Sequence, residues 1–246
     1  MSGIPFFILG AIIGSFLNVV ILRLGTGKSI AGGRSMCFSC GHTLSARELV
    51  PVLSYLFQRG RCAHCHARIS WQYPLVELVS ALGFLVLALR SDSITLLPFL
   101  LLIFSLSLAI CVYDLRHKII PDVLVYTLIV VSAFYFVVSG GAGGGLLEIL
   151  AGPLAASFFA LMWLVSRGRW MGFGDAKVAL AMGLFLGATG VLEAVMLAFW
   201  IGAIVGIALL LLKGRLITMK TEIPFAPFLL GAMFLEYLLP VYMHIL

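Results

Sequence analysis

Two aspartates, Asp114 and Asp175, are the residues of this sequence whose type and position could carry out acid–base chemistry together. Each stands at an end of an apolar segment, where an ionisable side chain is rare and indicates a functional site. Two neighbouring carboxylates that share one proton provide a general base and a general acid, because both cannot be ionised at low cost. Such a pair could activate water and protonate the carbonyl oxygen of a peptide bond, as in an aspartic protease.

The residues around this pair leave simpler interpretations open. Gly172 and Gly174 stand just before Asp175, and glycines at this spacing permit close backbone approach or an unwound stretch. In these interpretations, Asp175 simply stabilises the positive end of a helix dipole. Asp114 simply balances the charge of the basic residues that follow it. Asp122 follows a proline, which predicts that it lies in the first turn of a helix and supports the site without reacting.

Four of the five cysteines form two Cys-x-x-Cys pairs. They are Cys37, Cys40, Cys62 and Cys65. Two such pairs complete a structural zinc site with four sulfur ligands, although iron accepts the same ligand set. A reducing cytoplasmic loop disfavours disulfides. The flanking histidines, His42, His64 and His66, are predicted to be bystanders, because a completed sulfur site does not need them.

The composition indicates a membrane protein. Of the 246 residues, 62% are hydrophobic and 11% charged, and the mean hydropathy is +1.16. Soluble domains carry roughly 45–50% apolar and about 25% charged residues. This excludes a soluble enzyme, a disordered chain and a secreted disulfide scaffold. The net charge of +6 would suggest nucleic acid in a soluble protein, but here we expect membrane lipid and no nucleic acid as a partner.

Eight apolar segments predict an all-α polytopic membrane protein, since about 20 residues cross the hydrocarbon core as a helix. They are Ile4–Leu22, Tyr73–Leu89, Ile94–Tyr113, Ile119–Val138, Leu146–Val165, Val178–Leu186, Leu192–Leu212 and Phe225–Met243. The sixth segment is short, and the glycines from Gly187 to Gly190 predict a turn after it.

The basic residues orient these segments. The loop from Arg23 to Gln72 holds seven Lys and Arg, and every other basic loop falls on the same side except the one that contains Arg90. Lys and Arg gather in cytoplasmic loops. We therefore predict that the cysteine loop, Asp114 and Asp175 face the cytoplasm and that both termini face outward. The predicted domains are a first transmembrane helix at 1–22, a cytoplasmic zinc module at 23–72 and a membrane-embedded catalytic domain of seven helices at 73–246.

Several stretches of the chain together carry a family resemblance. They are Gly14–Arg23, the two cysteine pairs with Leu49–Tyr55 between them, Ile69–Glu77, and Asp114–Asp122 with Gly172–Asp175. In this order they resemble the type IV prepilin peptidases, the leader peptidases of the Gly-x-Gly-Asp class of intramembrane aspartic proteases. The sequence departs at Gly25, where the family usually has proline.

The resemblance implies roles for named residues. Asp114 and Asp175 match the catalytic pair of the family. Three residues are assigned to support of the catalytic loop, namely Gly172, Gly174 and Asp122. Glu77 is a candidate for substrate contact or methylation.

The resemblance also implies a substrate and a second activity. The substrate would be a prepilin or pseudopilin, whose short basic leader is cut after a glycine on the cytoplasmic side of the bacterial inner membrane. Many members also methylate the new amino terminus with S-adenosyl-L-methionine. The four cysteines favour this second activity here, because the zinc loop is associated with bifunctional members.

Two other kinds of function are also considered. An ion- or metal-coupled transporter would use intramembrane acids and broken helices, but it predicts polar groups near the bilayer midplane rather than at one interface. A non-enzymatic membrane assembly factor could dock through the zinc loop, but it leaves the paired aspartates without a role.

Overall fold

The computed structural model describes residues 3–27, 29–30, 32–213 and 223–239. The helices are α1 (Ile4–Arg23), α2 (Leu53–Phe57), α3 (Gln72–Arg90), α4 (Leu97–His117), α5 (Asp122–Val138), α6 (Leu146–Ser166), α7 (Phe173–Lys213) and α8 (Ala226–Leu238). Short 3₁₀ helices cover Ala46–Leu49 and Gly141–Gly143. Among the described residues, strand pairing is limited to two isolated bridges in the cysteine loop, which confirms the all-α class.

Each predicted membrane segment corresponds to a helix or to half of one. Five helices, α1, α3, α4, α6 and α7, are long and apolar enough to cross a membrane, and α5 and α8 are apolar but shorter. The count of eight crossings stays a prediction. The predicted basic loop at 214–222 and the end of the last segment beyond residue 239 lie outside the described residues.

The chain divides into two compact units, Met1–Leu97 and Pro98–Leu246. This grouping pairs α3 with α1, whereas the sequence-based division placed residues 73–246 in one catalytic domain. The functional division into 1–22, 23–72 and 73–246 stays a prediction.

In the first unit, α1 packs closely on α3 because two glycines remove the side chains between them. A Cβ atom added at Gly10 would lie 2.6 Å from the carbonyl oxygen of Ser80, and one at Gly14 would lie 2.7 Å from the Cα of Glu77. Small residues four apart let membrane helices approach closely. The opposite face of α1 exposes Ile4, Ile8, Ile12 and Phe16, which is the spacing of a stripe that faces lipid.

In the second unit, helix α7 reverses direction at Gly187. Its 41 residues would measure about 60 Å as one straight helix, twice the thickness of the hydrocarbon core. The rings of Phe173 and Phe199 contact Trp163 and Phe159, which are one turn apart on α6, with centroids 5.2 and 6.2 Å apart. A straight helix would separate the two phenylalanines by about 39 Å. Residues 173–186 and 188–213 therefore form a helical hairpin, in agreement with the prediction of two segments here.

The reversal depends on a single residue rather than on the predicted turn from Gly187 to Gly190. Gly187 has φ 77° and ψ −172°, a conformation that is essentially restricted to glycine. The break leaves the amide of Ala188 without a helical acceptor, and Glu148 Oε2 accepts a hydrogen bond from this N–H at 3.0 Å. Glu148 is thus explained as a cap at the start of the second half-helix.

Helices α6 and α7 meet at a second glycine contact. A Cβ atom at Gly183 would lie 2.7 Å from the carbonyl carbon of Ala151 and closer still to the backbone of Gly152. Backbone atoms cannot rotate away as a side chain can. The position of α7 beside α6 therefore requires glycine at residue 183.

Replacement of Gly183 by alanine is expected to lower the melting temperature of the detergent-solubilised protein, because the new methyl group would force α6 and α7 apart. Overpacking of this kind costs about 1–3 kcal/mol or more. The matched control is Gly206→Ala, also in α7, where nothing lies within 4 Å of the new Cβ and alanine favours the helix. Equal melting temperatures for the two variants would contradict the close contact at Gly183.

Candidate active site and metal centre

Asp114 lies in the last turn of α4. The sequence predicted that this segment ends at Tyr113, but the helix continues to His117. The amide of Lys118 donates to the carbonyl oxygen of Asp114 at 2.7 Å and closes this last turn. The side chain of Asp114 is buried, with 5% of the residue exposed.

Asp175 lies in the first turn of α7, at the start of the half-helix that ends at Gly187. It is buried to the same degree, with 5% exposed, and its amide donates to the carbonyl oxygen of Gly172 at 3.2 Å. A Cβ atom at Gly174 would lie 2.9 Å from the side chain of Ile120, so glycine is needed here for close approach. The nearest atom to a Cβ at Gly172 is 3.9 Å away, so sterics do not explain that glycine.

The fold brings the two aspartates together. Asp114 and Asp175 come from the ends of different helices, and their carboxylates are close enough to interact electrostatically. Both are withdrawn from solvent, where two like charges repel more strongly than in water. Two carboxyl groups in this arrangement favour different protonation states, because ionisation of one opposes ionisation of the other.

Asp122 differs from these two residues. It is the first residue of α5, as its position after proline predicted, and its side chain is 68% exposed. Lys177 Nζ donates to Asp122 Oδ1 at 2.5 Å and lies 4.7 Å from the centre of the Tyr126 ring. No local sequence pattern predicts this pair, because Asp122 and Lys177 are 55 positions apart.

Glu77 is a buried acid that holds the loop between α1 and α3 in the first unit. Its Oε2 accepts the amide of Val52 at 2.7 Å. Val52 has φ 61°, and the amide of Leu53 donates to the carbonyl oxygen of Pro51 at 2.6 Å, which defines a strained γ-turn. Sequence reasoning selected Glu77 but missed Val52, because no local pattern predicts a positive φ at valine.

A buried amide links α1 to the start of α3 near this acid. Asn18, with 1% exposed, donates from Nδ2 to the carbonyl oxygen of Tyr73 at 3.2 Å. Its Oδ1 accepts from Gln72 Nε2 at 3.4 Å. Polar groups of this kind fix the register of two membrane helices. Asn18 belongs to the first resembling stretch, but it was not singled out as a site residue.

The two cysteine pairs adopt the same local structure. Cys37 donates its amide to the carbonyl oxygen of His42, and Cys62 donates in the same way to Ala67, both at 2.9 Å. Each turn closes at a left-handed residue, Gly41 in the first and His66 in the second. The repetition of one turn around two pairs presents two thiols from each turn to a common centre.

The four sulfur atoms of Cys37, Cys40, Cys62 and Cys65 all lie within 4.8 Å of one another. Sulfurs bound to one tetrahedral zinc at about 2.3 Å stand about 3.8 Å apart, and the measured distance between the Cys37 and Cys65 sulfurs is 3.8 Å. All four cysteines are free thiols. The cluster therefore has the size that a metal ion requires.

The pKa values of the thiols also indicate that a cation would stabilise this centre. The backbone amides of Cys40 and Ser39 lower the pKa of the Cys37 thiol to about 6. The amide of Ala67 acts in the same direction on Cys65, but desolvation and the neighbouring sulfurs prevail and raise the pKa of Cys65 to about 11. One thiolate forms readily and further ones are opposed, so full ionisation needs a bound positive charge.

Comparison with known families agrees with the two units. The family described as "Bacterial Peptidase A24 N-terminal domain" matches residues 8–91, within the first unit. The family described as "Type IV leader peptidase family" matches residues 101–207, within the second. The second match contains Asp114, Asp122 and Asp175.

Several curated proteins are similar over most of the chain, and each is named prepilin leader peptidase/N-methyltransferase. The protein of Bacillus subtilis (strain 168) is 36% identical over 94% of this chain and 92% of its own length. That of Burkholderia pseudomallei (strain 1026b) is 36% identical over 96% and 85%. That of Aeromonas hydrophila is 33% identical over 91% and 86%. The chain belongs to the type IV leader peptidase family, as its motifs predicted. No solved structure matches it.

The Glu77–Val52 contact generates a prediction that is independent of activity. Glu77→Leu removes the acceptor of the Val52 amide, which should speed hydrogen exchange at Val52 and proteolysis between residues 49 and 57. A lost buried hydrogen bond costs about 1–3 kcal/mol. Glu77→Gln keeps a carbonyl acceptor and should behave nearly as the unmodified protein does. Indistinguishable behaviour of the leucine and glutamine variants would show that Glu77 does not hold the turn.

Proposed function

We propose that this chain is a membrane aspartic endopeptidase that removes the leader of type IV prepilins or pseudopilins and methylates the new amino terminus. The observation that supports the proposal is that Asp114 and Asp175 are both buried and interact electrostatically inside the segment that matches the type IV leader peptidase family. Relatives that match nearly the full chain are named for both activities.

The proposed cleavage step uses Asp114 and Asp175 as a unit. One carboxylate accepts a proton from the attacking water, while the other, in its protonated form, donates to the carbonyl oxygen of the scissile peptide bond. The two must be in different protonation states, which a close buried pair achieves because two negative charges cannot share the site cheaply. The placement of each residue at the end of a helix gives the pair a rigid support.

The proposed substrate has a short basic leader ahead of a hydrophobic helix. A basic leader is attracted to carboxylates at the membrane boundary, and the hydrophobic helix remains in lipid. Asp122 is exposed at this boundary, but it is already paired with Lys177. Its proposed role is therefore support of the catalytic segment, together with Gly172 and Gly174, rather than chemistry.

The chain is a multi-pass protein of the inner membrane. We propose in addition that the catalytic pair and the cysteine loop face the cytoplasm and that the termini face outward. Asp175 lies beside Phe173, whose ring contacts Trp163 near the end of α6, whereas Glu148 lies at the other end of that helix. This placement supports the prediction that Asp175 and Glu148 face opposite sides of the membrane.

The cysteine cluster is proposed to hold a structural zinc ion. Cys37, Cys40, Cys62 and Cys65 would supply four thiolates, and the 3.8 Å sulfur separation fits zinc. A four-thiolate site has no open position for water, so the ion would stabilise the loop rather than act on substrate. Iron uses the same ligands, and metal analysis separates the two.

Methyl transfer is proposed from the family relationship, with S-adenosyl-L-methionine as the methyl donor. The described residues contain no glycine-rich nucleotide fingerprint, so no residue is assigned to the donor and no step is derived through it. The suggested role of Glu77 in substrate contact or methylation stays a proposal beside its observed hydrogen bond to Val52. Family membership does not favour the transporter and assembly-factor alternatives.

Asparagine at either member of the pair should abolish the chemistry. Asp114→Asn and Asp175→Asn should each reduce prepilin cleavage by at least about 100-fold, the usual contribution of a general acid or base. The double variant should be hardly worse than either single variant, because residues that act as a unit are not additive. Cleavage of a prepilin by detergent-purified protein, followed by mass spectrometry, measures these effects.

Asp122→Asn is the matched control for this experiment. It breaks an exposed ion pair, which is worth about 0–1 kcal/mol, so cleavage should fall by less than about tenfold. Near-normal cleavage by either dyad variant would refute the assignment. An inactive Asp122→Asn beside an active Asp114→Asn would show that the reacting aspartate lies at the other end of the Asp114–Asp122 segment.

After dialysis against metal-free buffer, the protein should retain one zinc per chain, held by the thiolates. Cys40→Ser or Cys65→Ser should release it and expose the loop to proteolysis, because folding of such a loop is coupled to metal binding. Elemental analysis of protein purified under reducing conditions measures the ion. Iron at one equivalent, or the absence of both metals, would contradict the zinc proposal.

A further inference from the structure

A second group of metal-binding side chains lies outside the cysteine cluster. It consists of His42, Glu48 and His64, which each offer one ligand atom within 4.8 Å of the others. His42 Nε2 lies 3.8 Å from Glu48 Oε2, and the two imidazole rings have centroids 3.5 Å apart. Both histidines were predicted to flank the sulfur site without binding its metal ion.

The carboxylate of this group is fixed in place before any ligand binds. Glu48 Oε2 accepts hydrogen bonds from the amide and the hydroxyl of Ser45, at 2.8 and 2.7 Å. The bond from the amide belongs to a capping box at the start of the 3₁₀ helix Ala46–Leu49. Glu48 therefore loses less side-chain entropy when it binds a ligand than a mobile surface glutamate would lose.

The other oxygen of the same carboxylate has no donor. Glu48 Oε1 is buried and has no hydrogen-bond partner among the described residues. A buried acceptor without a partner is costly, and a negatively charged one more so. A cation bound by this carboxylate and the two imidazoles would offset the negative charge.

We infer that His42, Glu48 and His64 form a second site for a divalent transition-metal ion, with zinc as the natural occupant. Two imidazoles and one carboxylate with a fourth position open are a known zinc ligand set. Ligand atoms about 2.0–2.1 Å from a tetrahedral zinc stand about 3.3 Å apart. The two histidine side chains, which are partly or largely exposed, can reach this spacing by small rotations.

The site depends on the pairing of the two cysteine turns. His42 follows the first turn and His64 lies inside the second, so their approach requires that both turns converge on one centre. His42 supports its turn through its backbone carbonyl oxygen, which accepts the amide of Cys37. Its side chain is therefore available for a separate ligand, and it can be replaced without loss of that hydrogen bond.

Cobalt separates the two sites, because thiolate ligands give cobalt strong charge-transfer absorption that nitrogen and oxygen ligands do not give. The full-length protein in detergent is first dialysed against metal-free buffer, which leaves the zinc of the cysteine cluster, and is then titrated with Co²⁺ under reducing conditions. One equivalent is expected to bind with weak ligand-field absorption and no thiolate band. Bound zinc, measured in the same sample, should stay unchanged.

Two variants test the assignment, and a third histidine supplies the control. Glu48→Gln, which preserves an acceptor for the capping box, and His64→Gln should each weaken this Co²⁺ binding at least about tenfold, since outer-shell changes alone cost 10–100-fold. His66→Asn should bind Co²⁺ as the unmodified protein does. Asparagine is chosen because residue 66 has φ 56°, which asparagine tolerates.

Three results would overturn the inference. The first is that no equivalent of Co²⁺ binds. The second is that the Glu48 and His64 variants bind Co²⁺ with the same affinity as the unmodified protein. The third is that Co²⁺ binding always comes with the thiolate band. Because the measurement reads metal ligation rather than prepilin cleavage, its failure leaves the peptidase proposal intact.

Discussion

The burial of two like-charged carboxylates next to each other is the constraint on which the second unit depends. Asp114 and Asp175 repel when both are ionised, and each also loses hydration. Flexible segments would separate them. The pair persists because both residues belong to the terminal turns of long helices, whose positions are set by contacts further along the bundle. The Gly183 contact with α6 and the reversal at Gly187 therefore help to fix the position of Asp175.

The first unit is stabilised by different interactions. A polar loop is held against two apolar helices, and Glu77 contributes through its hydrogen bond to the strained turn at Val52. Gly10 and Gly14 bring α1 close to α3, the helix that carries Glu77. The loop itself has few buried apolar side chains, so a metal ion can supply the cross-link that a hydrophobic core supplies elsewhere.

Much of the fold and of the candidate site could be predicted, and the misses have physical reasons. The helical class and the approximate segments followed from hydropathy, but α4 extends past Tyr113 through Asp114 to His117. A charged residue ends an apolar run without ending a helix, since the backbone hydrogen bonds do not depend on side-chain polarity. The sixth apolar segment begins at Val178 for the same reason, although the helix begins at Phe173 and includes both Asp175 and Lys177.

The sequence by itself determined the membrane class, the two Cys-x-x-Cys pairs and the identity of the acidic residues, because each of these depends on residue type and local spacing. Tertiary structure alone decided which groups meet. Lys177 pairs with Asp122 across 55 positions, Glu148 caps Ala188 across 40, and Glu77 accepts the amide of Val52 across 25. Such contacts are set by how helices pack and where the backbone bends, and local periodicity carries no information about either.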